Sequence, residues 1–221
     1  MDISDLLASV VAPPTPSHQR LSDLQSLTRS FVAERTCPEL LPYPSALLDR
    51  VLEAIREQIE TIEEHAGDAD PRTNFRMIIL QTELERVRFL VRGLVRGRIA
   101  KIDAHPLHIL NLYTTSQPTL LSPSEHKYLT THQALLSSHF SASFLSQFPA
   151  ALQRLDDTTG GVSMVDKPDE DRAVFVRCLR DVGQVYVEGT GTRFEMRRGD
   201  VSVVRWSAIR AWVLGGDVEL I

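Results

Sequence analysis

Apolar positions recur along this chain at two different periods, and the change of period divides it. From about residue 21 to residue 148 they return every three or four residues, the spacing of amphipathic helices. Leu24, Leu27 and Phe31 predict a helix over 21–33, and the run Cys37-Pro38-Glu39-Leu40-Leu41-Pro42 breaks it. Leu48, Leu52, Ile55, Ile59 and Ile62 follow a 4-3-4-3 spacing, a narrow seam of the coiled-coil kind, and predict a helix over 45–65 capped by Ser45. Leu80, Leu84, Val87, Val91 and Leu94 repeat that spacing in a longer helix, about 74–103, which Ile102 continues after Arg98 interrupts the seam. Phe89, Val95 and Ile99 lie off the seam, so this helix carries two apolar faces and requires more than one neighbour. Ser122, Pro123 and Glu125 supply a cap, a first-turn proline and a third-position glutamate, the start of a further helix that ends near Phe148-Pro149.

Beyond Asp156-Asp157-Thr158-Thr159-Gly160-Gly161, which reads as a linker, the segments become short and rich in β-branched and aromatic residues. Val174–Val176, Val185–Val187, Arg193–Met196 and Val201–Val204 predict strands, with one helical turn near 207–214. The fold class is α+β, an N-terminal all-α helical-bundle domain followed by a small C-terminal β-rich domain. The boundaries are a docking peptide and Pro-rich tether over 1–18, the helical domain over 19–150, a linker over 151–165 and the β domain over 166–221. Fewer than 60 residues make a marginal independent domain, so the β module is expected to dock on something. Before the first helix, Ile3, Leu6, Leu7 and Val10 stand at helical spacing in an acidic peptide that Pro13-Pro14-Thr15-Pro16 ends, the pattern of a short helix that docks in a groove on another protein.

Composition narrows the function. The chain has 221 residues, 43% hydrophobic, enough for one or two domains with a sizeable core. A formal net charge of −5 excludes a wholly basic nucleic-acid coat protein. Two cysteines cannot form a multi-disulfide scaffold, and no apolar run approaches the ~18 residues that span a bilayer, so a soluble intracellular protein is expected. Charge is nevertheless segregated. Between Arg72 and Lys101 there are eight basic and two acidic residues, about +6, whereas Ser45–His65 is about −4, and antiparallel packing of the two helices is expected.

Candidate chemistry is sparse. His105 and His108, and later His126, His132 and His139, lie near neither cysteine and form no His-Glu-x-x-His pattern, so no metal site is expected. Gly189-Thr190-Gly191-Thr192 lacks the ending of a phosphate loop and reads as a hairpin turn. Asp68-Ala69-Asp70 is followed by Pro71 and fails as a calcium loop, and Asp166, Asp169, Glu170 and Asp171 read as a solvated approach to the β domain. Nothing assembles a nucleophile, base or cofactor site, so neither enzyme nor cofactor is expected. The arginine-rich helix either pairs with acidic helices through bidentate contacts or, as the alternative, binds DNA phosphates through Arg86, Arg88, Arg92, Arg96 and Arg98.

Five stretches in order resemble one family. Glu83-Leu84-Glu85-Arg86-Val87-Arg88-Phe89 with Arg96-Gly97-Arg98-Ile99-Ala100-Lys101-Ile102-Asp103 resembles the central helix of the GINS family's fourth, Sld-five-type subunit, of fungal kind. Glu34 with Cys37-Pro38-Glu39-Leu40-Leu41 is similar to its Ala-Pro-Glu-Leu-Leu motif, with cysteine for alanine. Leu121-Ser122-Pro123-Ser124-Glu125 is similar to its Leu-Ser-Pro-x-Glu helix start, Lys167-Pro168-Asp169 with Val174–Arg177 to the approach to its C-terminal domain, and Arg205–Ile209 with Val218–Ile221 to its closing strand. The resemblance implies a non-catalytic nuclear scaffold in a heterotetramer with three paralogous subunits. It also implies that this tetramer joins the MCM ring and its Cdc partner as the replicative helicase, touching DNA only indirectly and no membrane.

On this reading the subunit interface is expected on Leu80, Glu83, Leu84, Arg86, Val87, Arg88, Val91, Leu94, Arg96 and Arg98 of the long helix, and on Val174, Phe175, Trp206 and Ile221 of the β domain. The resemblance further implies that Asp2, Ile3, Asp5, Leu6 and Leu7 form the box with which fungal members dock a trimeric β-propeller adaptor that links the helicase to polymerase alpha.

Overall fold

Prolines set where most of the helices begin. In the computed structural model, which describes residues 16–65, 71–149, 152–155, 163–187, 189, 191 and 193–221, five helices precede the strands. They are α1 (Pro16–Thr36), α2 (Ser45–Glu64), α3 (Pro71–Ala104), α4 (Pro106–Thr115) and α5 (Pro123–Ser143). Four of these five open on a proline, whose missing N–H costs nothing in a first turn and whose ring presets the helical φ. The N-terminal docking peptide, residues 2–7, lies outside the described residues.

α5 is capped as its sequence requires. The Ser122 hydroxyl accepts the Glu125 N–H at 3.1 Å, and the Ser122 N–H donates to Glu125 Oε2 at 2.9 Å. α1 starts five residues before the apolar spacing alone suggested, because Pro16 opens it, and α3 runs for 34 residues without a break. α4 went unpredicted: it has ten residues, and the His105 side chain makes no capping bond.

The C-terminal module forms the strands read from sequence. In β1 (Ala173–Cys178), Val174, Val176 and Cys178 point inward while Ala173, Phe175 and Arg177 point out. β1 is the central strand of an antiparallel sheet of order β4-β1-β5, between β4 (Val201–Arg205) and β5 (Val218–Leu220). The hairpin β2 (Gly183–Tyr186) and β3 (Arg193–Met196) forms a second sheet, with Val185 opposite Phe194. The expected helical turn is a full helix, α6 (Trp206–Gly215). Gly216 ends it in the left-handed region at φ 77°, where a residue with a Cβ is strained.

The chain clusters into two compact units. The first comprises the described part of 1–28 with 45–91; the second comprises 29–44 with 92–221. α1 and α3 each contribute to both units. Within the second unit the β module borrows part of its core. Buried Cys37 sits among Val174, Val176, Cys178, Val185, Met196, Trp206 and Ile209, with Ala33 and Leu41 packed against the cluster. A module too small to close its own core is thus completed by the end of α1 and the turn after it. In the same unit Gly93 lies under Phe31: a Cβ at residue 93 would come within 2.6 Å of the Phe31 ring, so glycine is what lets α1 and α3 approach.

Candidate protein–protein interface

The site residues expected on α3 fall into two groups with opposite fates. Leu84, Leu94 and Arg98 are buried within the chain, as are Val174 and Trp206 of the β module. Their side chains are consumed by the chain's own core and present no surface to a partner. Leu80, Val87, Arg88 and Val91 are half-buried, while Glu83, Arg86, Arg96, Phe175 and Ile221 are exposed.

Arg98 is the clearest departure from the sequence reading, in which it interrupts an apolar seam. It is fully buried, and each of its five N–H donors has a partner. Nε donates to Glu125 Oε1 at 2.7 Å, Nη1 to Glu34 Oε2 at 3.1 Å and to the Leu41 carbonyl at 2.7 Å, and Nη2 to the Leu120 carbonyl at 2.8 Å and to Glu125 Oε2 at 3.1 Å. Its guanidinium also lies 5.2 Å from the Tyr43 ring centroid.

The network extends from there. Lys101 Nζ donates to Glu34 Oε1 at 2.6 Å and to the Glu39 carbonyl at 2.7 Å, and the Glu39 carboxylate pairs with Arg210 of α6 at 2.9 Å. Burial pushes the Glu39 carboxyl above the ordinary carboxylate range, and Arg210 works against that rise. Three cations thus meet three carboxylates inside the second unit, joining α1, α3, the cap of α5 and α6. A buried charge that is paired and fully hydrogen-bonded is tolerated, and the cost falls on whatever removes one partner. The burial of Arg98 withdraws one of the five arginines offered as DNA contacts.

What α3 leaves outside is apolar. In the first unit Met77, Leu80, Leu84 and Val87 turn one face inward. Phe75, Ile78, Thr82 and Phe89 follow one another at three, four and seven residues and stand exposed on the other, Phe75 at 67%, Ile78 at 60% and Phe89 at 62%. The 4-3-4-3 reading had tracked the inward seam. Of the outward stripe it had noticed only Phe89, and the repeat of period near seven through Phe75 and Thr82 was the signal available.

A second uncovered apolar surface lies on the sheet. Phe175 opposes Val203 across β1 and β4 on the outward face, Val201 stands two residues from Val203, and the Ile221 N–H bonds the Phe175 carbonyl. All four side chains are exposed. Arg177, on the same face, pairs with Glu219 of β5, which Arg29 also reaches at 3.3 Å. An antiparallel sheet ordinarily offers polar residues to solvent, so a row of Phe and Val there marks a surface made to be covered.

No group of three or more potential ligands that would hold a metal occurs among the described residues. No helix among them is long and apolar enough to cross a membrane. Burial raises the thiols of Cys37, to about 12, and of Cys178, so both stay protonated at neutral pH.

Comparison with known proteins places the chain in a family. Residues 46–144 match the family described as the GINS complex protein helical bundle domain, and residues 168–221 match that described as the DNA replication complex GINS protein SLD5 C-terminus. A protein of Chaetomium globosum named DNA replication complex GINS protein SLD5 is 46% identical over the full length of both chains. Proteins of the same name from Yarrowia lipolytica and Schizosaccharomyces pombe are each 36% identical over all of this chain and 85% and 99% of their own. The helical bundle, the C-terminal sheet module and full-length identity to fungal relatives agree: the chain belongs to the SLD5 family of GINS complex proteins.

Proposed function

We propose that the chain is a non-catalytic scaffold subunit of a nuclear, heterotetrameric GINS complex, and that this complex joins the MCM ring and its Cdc partner in the replicative helicase. The observation that carries the reading is the outward stripe Phe75, Ile78 and Phe89 on α3, a helix whose opposite face is already buried. Three large apolar side chains at helical spacing fit a facing helix of a sister subunit. The open sheet face around Phe175 and Val203 supplies a second contact. Glu83, Arg86 and Arg96, all exposed, then select among sister chains, because juxtaposed like charges are costly at a close interface. In the same reading the N-terminal box with Asp2, Ile3, Asp5, Leu6 and Leu7 docks the trimeric adaptor towards polymerase alpha.

The test is co-expression with three paralogous subunits, followed by mass measurement of the purified assembly. The expected result is a stable species containing one copy of each chain, and an isolated chain that aggregates. An isolated chain that stays monodisperse and ignores its paralogues overturns the reading.

A further inference from the structure

The three-stranded sheet ends on two edges, and they differ. On one side lies β5, only three residues long, whose Glu219 is held by Arg177 and reached by Arg29 of α1 at 3.3 Å. A short, charged edge is one of the ways in which proteins stop further strands from adding. On the other side lies β4, where Val201-Ser202-Val203-Val204 holds no charge and no proline before Arg205.

The register fixes where the backbone of β4 points. At the two ends of the β1–β4 ladder the Cys178 N–H donates to the Asp200 carbonyl at 3.0 Å, and the Trp206 N–H donates to the Arg172 carbonyl at 3.0 Å. Antiparallel pairs alternate between bonded and non-bonded, so Ser202 and Val204 turn their N–H and C=O groups to β1. Val201 and Val203 turn theirs away from it, as does the Arg205 N–H. No hydrogen bond from the described residues reaches these outward groups. The same residues put their side chains on the outward face, where Phe175 stands opposite Val203. Edge and face are thus uncovered together.

We infer that β4 accepts a further strand, an extended segment of a sister subunit that bonds along Val201, Val203 and Arg205. Unpaired donors and acceptors repeating along a straight edge are satisfied in register by another extended backbone, whereas a docked helix has spent its own groups on itself. The side chains set the chemistry of that segment. Its residues opposite Val201 and Val203 fall on the outward face and continue the apolar row from Phe175, so they are aliphatic or aromatic. Arg205 is exposed and meets Asp171 only at 3.6 Å, which leaves a cation to pair with a carboxylate at the end of the added strand. A second copy of this chain fits less well. Two β4 strands paired antiparallel about Val203 would set each Arg205 opposite a Val201 and leave both cations unmatched. The identity of the donor chain rests on the proposed assembly; the geometry of strand addition rests on β4 alone.

The experiment uses the full chain purified with its sister subunits and needs no variant at the outset. Hydrogen exchange, resolved to single amides by fragmentation in the mass spectrometer, should show the amides of Val201, Val203 and Arg205 slowed about a hundredfold or more relative to free peptide. Free exchange at these positions in an intact assembly overturns the added strand and leaves the subunit reading standing; an assembly that does not form overturns both. Replacing Val201 with photoreactive benzoylphenylalanine then identifies the donor. Adducts are expected on a sister subunit, and adducts on a second copy or on the same chain overturn the inference. Val203→Pro removes one outward N–H and no bond to β1, a position at which an edge strand tolerates proline. Protection at Val201 and Arg205 should fall about tenfold while that at Val174 and Val176 of β1 stays, and Val203→Thr, which keeps the N–H, should change neither. Protection at Val201 and Arg205 that survives Val203→Pro overturns the inference.

Discussion

Arg98 and Phe89 stand nine residues apart on one helix, and each occupies the environment expected of the other. The guanidinium is fully buried with five hydrogen bonds, and the phenyl ring is 62% exposed. Around Arg98 the helix carries its charges into the core, whereas around Phe89 it turns aromatic and aliphatic surface to water. The difference teaches what each region is for. A satisfied buried ion network fixes one arrangement of α1, α3, α5 and the C-terminal module. An exposed apolar stripe is the surface that the proposed subunit contact would cover.

The sharpest way to break this contrast is Arg98→Met. It leaves the Glu125 carboxylate buried without its cation and Glu34 with Lys101 alone, and a loss of about 3–5 kcal/mol is expected, read as a fall in the denaturant midpoint of the purified complex. Arg98→Lys should recover little, because an ammonium has three donors where five are used. Next in size is Gly93→Ala, which drives a methyl group into the Phe31 ring and should cost about 1–3 kcal/mol. Pairing it with Phe31→Leu should restore part of that loss.

A smaller effect comes from pH. Burial, and then the positive charges of Lys167, His105 and Arg210, hold His108 below its ordinary value of 6.5, while Glu170 pulls the other way. The unfolded chain therefore takes up this proton first, and stability is lost as pH falls below about 6.5. Glu39 acts in a different window with the opposite sign. Its raised folded value means that stability is lost as pH rises from about 4.5 through that value. His108→Gln should flatten the decline in melting temperature below about pH 6.5; an unchanged slope would mean that His108 does not contribute.

The last change affects the chain itself least and the comparison most. Phe89→Arg replaces an exposed ring, so the helical content measured by circular dichroism should stay the same while co-purification with sister subunits is lost. Retention of full assembly would remove the α3 stripe from the interface.

Much of the fold was readable because its signals are local. Ser122, Pro123 and Glu125 lie within four consecutive residues, and the cap they form is the one observed. The β-branched and aromatic run Val174–Val176 marked β1 as a strand, while its two faces, with Val174 inward and Phe175 outward, were shown by the structure. α4 was missed because a ten-residue helix without a side-chain cap offers little periodicity to detect. The role of Arg98 was unreadable for another reason. Its carboxylate partners lie 64 and 27 residues away, and a cation within an apolar repeat looks like an interruption until those partners are seen around it.

By itself, then, the order of residues determined where most helices and strands lie, that α3 has more apolar surface than one neighbour can cover, and the motifs of its family. These properties depend on backbone preferences and periodicities that act over a few residues. Only the tertiary structure decided which of the two faces of α3 the chain keeps for its own core, that Arg98 belongs to that core, and that Cys37 completes the C-terminal module. Those outcomes depend on groups far apart in sequence meeting in a medium from which water is excluded, where an unpaired charge is intolerable and a fully paired one is stable.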